Sequence, residues 1–215
     1  MIAQATSVTP GLDIDALCQL IPQSQCVVFH AALYSNFARS KVEQSLHFAL
    51  ASNPKIQVYL IEQAFELTNP WHGEFGRILR EQICVDEMHD LFLQSHIWCQ
   101  LLLQKYPNQV HHLVSNLLPC QPILLIDNHV FTGQYAHCEI AAPQGVWLHI
   151  DGGLLGINVA MFRDWLQQGI GVKRLAEQIK PPLAQQRTSE LTSAQIAVYR
   201  YVAECGHAIE NATKF

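Results

Sequence analysis

Residues 26–33, Cys-Val-Val-Phe-His-Ala-Ala-Leu, form a continuous apolar run without the alternation of a half-exposed strand. A β-prone run of this kind suits a strand covered on both faces, as in a parallel sheet between layers. Ser40-x-x-Glu43 follows and reads as a capping box. Its two side chains satisfy backbone N–H groups that the first turn of a helix leaves without partners. Val42, Leu46, Ala49 and Leu50 supply that helix with a buried stripe, and Asn53-Pro54 ends it. Residues 56–61 make the next strand. Strand, helix and strand in this order predict a βαβ unit, and so an α/β fold.

The rest of the chain divides around this unit. Residues 1–12 contain Ser, Thr, Pro and Gly and read as irregular. Asp13 caps a short helix carrying Ile14, Leu17, Cys18 and Leu20. Residues 71–80 read as a short amphipathic helix. Residues 86–104 read as a longer one, with Met88, Leu91, Ile97, Leu101 and Leu102 on its apolar side. Residues 110–114 are a candidate strand. Three further strands, 123–126, 130–140 and 146–150, are separated by Asp127-Asn128 and by the turn at 142–145, which predicts an antiparallel meander. Gly152-Gly153-Leu154-Leu155-Gly156 is a flexible crossing. Helices then follow, from Asn158 to Leu166 and over 173–179, before Pro181-Pro182. Thr192-x-x-Gln195 caps a last helix to about Glu204. The division is an α/β domain over 1–182, then a linker and C-terminal helix over 183–215.

Charge excludes some functions. Thirteen Lys and Arg against eighteen Asp and Glu leave a net charge of −5, with no basic run. Broad electrostatic binding to nucleic acid needs clustered cations, so direct binding is not expected. Charged residues make up only 14 % of the chain, below the usual ~25 %, which suggests surface hidden by a partner. The seven cysteines, Cys18, Cys26, Cys84, Cys99, Cys120, Cys138 and Cys205, are odd in number and never spaced CxxC. Free thiols in a reducing compartment are the expectation. The first basic residue is Arg39, and no apolar stretch approaches the ~18 residues of a membrane span. A cytoplasmic protein without a membrane span is therefore expected.

Several chemistries leave no trace. No GxSxG nucleophile elbow, GxxxxGK[ST] phosphate loop or HExxH motif occurs. Backbone N–H groups of Gly152, Gly153 and Gly156 could hold an anion between strand and helix, although glycines serve equally in a bare turn. The stronger constellation is Asp127, His129, His137, His149 and Asp151, all within the predicted meander. His149 and Asp151 share a strand face. Two or three imidazoles with a carboxylate could bind zinc or another transition metal. His111 and His112 are neighbours in a strand, point to opposite faces, and are not expected to act together.

The order of strand 26–33, helix 40–52, strand 56–61, helices, then Ile123-Leu124-Leu125-Ile126-Asp127 and a turn into Val130-Phe131-Thr132-Gly133 resembles the phospholipase D superfamily. In that family a strand carries His-x-Lys, four more residues and Asp; a turn leads to a strand bearing Gly-Ser-x-Asn. The similarity covers roughly 24–62 and 110–151. Asp127 falls at the family Asp, and Gly133 one residue before the family Gly. Counting back puts Cys120 at the family His and Pro122 at the family Lys, while Gln134 and Ala136 replace the Ser and Asn. No His-x-Lys occurs in the chain, and no Lys lies between Lys105 and Lys173. Covalent catalysis needs the nucleophile, and charge stabilisation needs the cation.

The resemblance therefore implies a mixed sheet flanked by helices, like one half of a phospholipase D fold, with added C-terminal helices. It implies a catalytically degenerate member without catalytic residues, acting in ligand sensing or protein–protein interaction, and homodimeric, since single-motif chains of that family pair around a shared cleft. One alternative is a metal-dependent hydrolase built on the cluster at 127–151. Another is an accessory subunit of a DNA-processing or defence system.

Overall fold

The computed structural model describes residues 6–63, 72–80, 82–115, 121–134 and 144–154. In chain order the elements are β1 (Thr6–Pro10), α1 (Ile14–Leu20), β2 (Cys26–His30), α2 (Lys41–Ser52), β3 (Gln57–Gln63), α3 (His72–Leu79), α4 (Val85–Lys105), β4 (Val110–Ser115), β5 (Ile123–Ile126), β6 (His129–Gly133) and β7 (Val146–Asp151). Single 3₁₀ turns occupy Ile21–Gln23 and Tyr34–Phe37. The strands make one mixed sheet in the order β1-β7-β6-β5-β2-β3-β4. β2, β3 and β4 run parallel, while β5, β6, β7 and β1 are antiparallel. The expected βαβ unit and meander are thus halves of one sheet, joined where β2 meets β5.

Register sorts the side chains onto two faces. One face carries Val27, Phe29, Val58, Leu60, Leu124 and Phe131, packed against Leu17, Val42, Leu46, Trp98 and Leu102 of the helices. The other carries Cys26, Val28, Tyr59 and Ile61, with Leu113 and Leu125. The caps expected at Asp13 and Ser40 form. Asp13 Oδ1 accepts from Ala16 N at 2.9 Å, and Ser40 Oγ from Glu43 N at 3.3 Å. The return half of the second box goes elsewhere: Glu43 Oε2 accepts from Arg39 N at 2.6 Å, and Oε1 from the Trp98 indole at 2.7 Å. One carboxylate thereby ties the start of α2 to α4.

The structure corrects four sequence expectations. Residues 6–10 are not irregular: β1 pairs with β7 as an edge strand, and Gly11 N donates to Gly145 O at 2.6 Å to close it. The apolar run at 26–33 leaves the sheet at His30. The Tyr34 hydroxyl turns back to lie 2.5 Å from Phe29 O and 2.8 Å from Ile61 O, and Ala32 and Leu33 pack with Phe75, Leu79, Met88 and Phe92 instead. β3 runs two residues further than expected and takes Glu62 and Gln63 into the sheet. On α4 the buried face is Met88, Phe92, Ser95, Trp98, Cys99 and Leu102. Ile97 and Leu101, expected on that side, project away from it, because 3.6 residues per turn place them opposite Cys99 and Ser95.

The predicted helices beyond Asn158, the linker and the helix at 192–204 lie outside the described residues. Cys18, Cys26, Cys84 and Cys99 are free thiols; the other three cysteines lie outside as well. Among the described residues no helix is long and apolar enough to cross a membrane.

Candidate functional site

The hairpin β5–β6 and its neighbour β7 bring part of the expected histidine cluster together. His129 and Asp151 face each other across β6 and β7, and His149 pairs with Phe131. His129 Nδ1 lies 3.1 Å from His149 Nε2, and the His149 ring stacks on Phe131 at a centroid distance of 4.1 Å. Burial first, and then the neighbouring His129, lower the pKa of His149 below the ordinary imidazole value, opposed by Asp13 and Asp151. His137 lies outside the described residues.

The two carboxylates of that cluster have other partners. Asp127 sits in the turn after β5 with φ 48°, a left-handed conformation that Asp tolerates better than most residues. Its Oδ1 accepts from Gln25 N at 3.0 Å and Cys26 N at 2.9 Å, so it fastens the hairpin to the start of β2. Asp151 Oδ1 accepts from Gly153 N at 3.0 Å and Leu154 N at 3.4 Å. This also bears on the predicted anion turn. Gly152 N donates to Asn128 O at 2.7 Å, so the donors at Gly152 and Gly153 are already engaged, one of them by a carboxylate. Gly156 lies outside the described residues.

A different cluster, not anticipated from the sequence, has three ligand-bearing side chains. Glu62 near the end of β3, His96 in the middle of α4 and His112 on β4 converge between the sheet and the helix. The register explains the meeting. Glu62, Leu60 and His112 lie on the helix-facing side, with His112 beside Leu60 and Val114 beside Glu62. His111, one residue earlier, faces away and stacks on Tyr59 at 4.5 Å. His96 Nδ1 is 2.6 Å from Glu62 Oε1, and His112 Nε2 is 3.2 Å from Glu62 Oε2. Gln100, one turn along α4 from His96, places its amide nitrogen 2.9 Å from His112 Nδ1. Glu62 and His112 side chains are only 9 % and 3 % exposed, whereas His96 is 46 % exposed, so one side of the cluster is open to water. These three residues offer an oxygen and two nitrogens to a metal, the donor set of zinc and other borderline divalent ions.

Pro122, which counting places at the family Lys, sits at a small cavity of about 40 Å³, lined also by Ala31, Leu33, Phe37, Arg80 and Trp147. That volume holds a few waters at most. Arg80 is its cation, and that guanidinium already donates to Leu79 O at 2.7 Å.

Comparison with known proteins assigns no family. No protein-family model and no curated protein matches the chain. Among solved structures, TrmBL2, described as an archaeal chromatin protein with a novel mode of DNA binding, is similar at 11 % identity and a TM-score of 0.43. The match covers 78 % of this chain and 52 % of TrmBL2, so the chain spans about half the length of that protein. A likeness this slight carries no argument about function.

The triad escaped the sequence reading for definite reasons. Its members are separated by 34 and 16 positions in the chain and belong to no motif. One signal was present: Glu62 directly follows the apolar run 58–61, and an acid continuing a buried strand needs a partner. The strand was expected to end one residue too early to raise the question.

Proposed function

We propose that the chain is a catalytically degenerate phospholipase D-like module that works by binding protein, its first partner being a second copy of itself. The observation carrying this reading is the outward face of α4. Leu93, Ile97 and Leu101, spaced four apart, form a stripe whose members are 48–59 % exposed. Each is already about half buried, so covering the rest gains roughly 0.8–1.5 kcal/mol per side chain. The low charge of the chain supports the same reading. So does the hairpin with Asp127 in its turn, where the resemblance expects it, while Pro122 stands at the position of the family Lys.

Light scattering at tens of micromolar is expected to give twice the monomer mass, with at least the ~1,200 Å² of a specific interface buried. Ile97→Glu with Leu101→Glu should give a monomer of unchanged circular dichroism, because neither side chain supports the core. A monomeric parent protein, or a dimer indifferent to both substitutions, removes this assignment; the first result would leave the stripe to the segment 192–204 in cis. Degeneracy has its own check. Bis-p-nitrophenyl phosphate in EDTA should not be hydrolysed above background, and turnover that vanishes with His111→Ala or His112→Ala would restore an enzyme.

The imidazole pair His129–His149 favours a second reading, a metal-dependent hydrolase on the meander. Metal-stimulated ester or phosphoester turnover lost in His129→Ala and His149→Ala would support it over the first.

A further inference from the structure

We propose that Glu62, His96 and His112 form a binding site for a divalent transition metal ion of the zinc class. Three observations converge on it. First, one ligand atom from each residue lies within 4.8 Å of the other two. A tetrahedral zinc ion with ligands at 2.0–2.1 Å has ligand-to-ligand edges of about 3.3 Å. The edge from Glu62 Oε2 to His112 Nε2 is already 3.2 Å. His96 Nδ1 lies 2.6 Å from the other carboxylate oxygen, Oε1, so it must shift to share an ion held by Oε2.

Second, Glu62 Oε2 and His112 Nε2 are both buried, and neither makes a hydrogen bond. They approach each other without the alignment a hydrogen bond requires. A buried carboxylate oxygen and a buried ring nitrogen left in this state lose their hydration without replacement, which folded proteins seldom tolerate. An ion between them satisfies both at once.

Third, the surroundings are those of a ligand set. Gln100 holds the far side of the His112 ring. Turning its amide over presents Oε1 at the same point, where it accepts from Nδ1–H and leaves the Nε2 lone pair free for the metal. The protein thus provides three ligands, and the exposed side of His96 leaves room for water and a path of entry. The donors come from β3, β4 and α4, so the ion would pin α4 to the edge of the sheet. Metal occupancy would thereby bear on the helix that carries Leu93, Ile97 and Leu101.

The test uses full-length protein stripped with chelator and titrated with Zn²⁺ by calorimetry and with Co²⁺ by visible absorption. One ion per chain is expected, with a cobalt d–d band of a low-coordinate nitrogen and oxygen site. His96→Ala changes a half-exposed side chain and should fold. It is expected to weaken Zn²⁺ binding by more than about 100-fold and abolish the cobalt band. Glu62→Gln should do the same. Gln100→Leu, which removes only an outer partner, should cost about 10–100-fold. Stoichiometric zinc that survives His96→Ala but is lost in His129→Ala with His149→Ala would place the ion on the meander and overturn the proposal. Absence of binding above millimolar Zn²⁺ by a folded parent protein would overturn it too. A monomeric protein that binds zinc would remove the dimer reading and leave this site standing.

Discussion

Gly133→Ala is expected to destabilise the protein by about 1–3 kcal/mol, a large effect for a single methyl group. Gly133 faces Trp147 across β6 and β7. A Cβ at Gly133 would lie 2.6 Å from Trp147 Cε2 and 2.8 Å from Cδ2. Those are atoms of a rigid indole, and Trp147 is itself buried in the main core with Phe131 and Leu124. The ring cannot swing aside without disturbing that core, so relief must come from separating the strands. Urea denaturation checks the magnitude. The contact also predicts non-additivity, since Trp147→Leu should cost less in the Gly133→Ala background than in the parent protein. A Gly133→Ala variant within about 0.5 kcal/mol of the parent would show that the strands yield freely. Gly133, one residue short of where the phospholipase D resemblance places its glycine, therefore has a packing reason of its own.

Acid should weaken the fold through His30, by about 3 kcal/mol in full. His30 ends β2, and its Nε2 is buried without a hydrogen-bond partner although the residue as a whole keeps some exposure. Burial pulls its pKa from 6.5 down to about 4. Between these values the unfolded chain binds a proton that the folded chain refuses. The contribution of His30 is therefore complete above pH 6.5 and is lost as pH falls towards 4. His111 and His47 are lowered in the same direction, chiefly by burial, so the whole protein should lose more than His30 alone accounts for. Comparing urea midpoints at pH 7 and pH 4.5 for the parent and for His30→Leu isolates the single residue. The variant is expected to lose about 2–3 kcal/mol less over that interval. Equal losses in both proteins would mean that water reaches Nε2 in the native state.

The parallel half of the sheet was legible because its signals are local. An apolar run, a capping box with a buried stripe at helical spacing, and a second apolar run leave few arrangements besides a βαβ unit. Turn pairs marked the meander in the same way. Boundaries were less legible where a distant contact decides them. The strand at β2 stops at His30 because the Tyr34 hydroxyl reaches the carbonyls of Phe29 and Ile61, and no feature of residues 31–33 announces it. β1 was missed because an edge strand needs little apolar pattern of its own when β7 supplies its hydrogen bonds.

The candidate site divides along the same line. Short-range reasoning placed His111 and His112 on opposite faces, and found a histidine cluster in the meander of which His129 and His149 do meet. It could not foresee that Asp127 and Asp151 would bind backbone N–H groups, because those partners depend on how the turns close. Nor could it assemble Glu62, His96 and His112. By itself the sequence determined the α/β class, the helix caps, the parallel and antiparallel halves and the absence of a catalytic His-x-Lys, since each depends on residues close together in the chain. Only the tertiary structure decided which histidines share a carboxylate. That depends on the register of β3 against β4 and on the rotation of α4 above them, and both are set by packing between segments far apart in the chain.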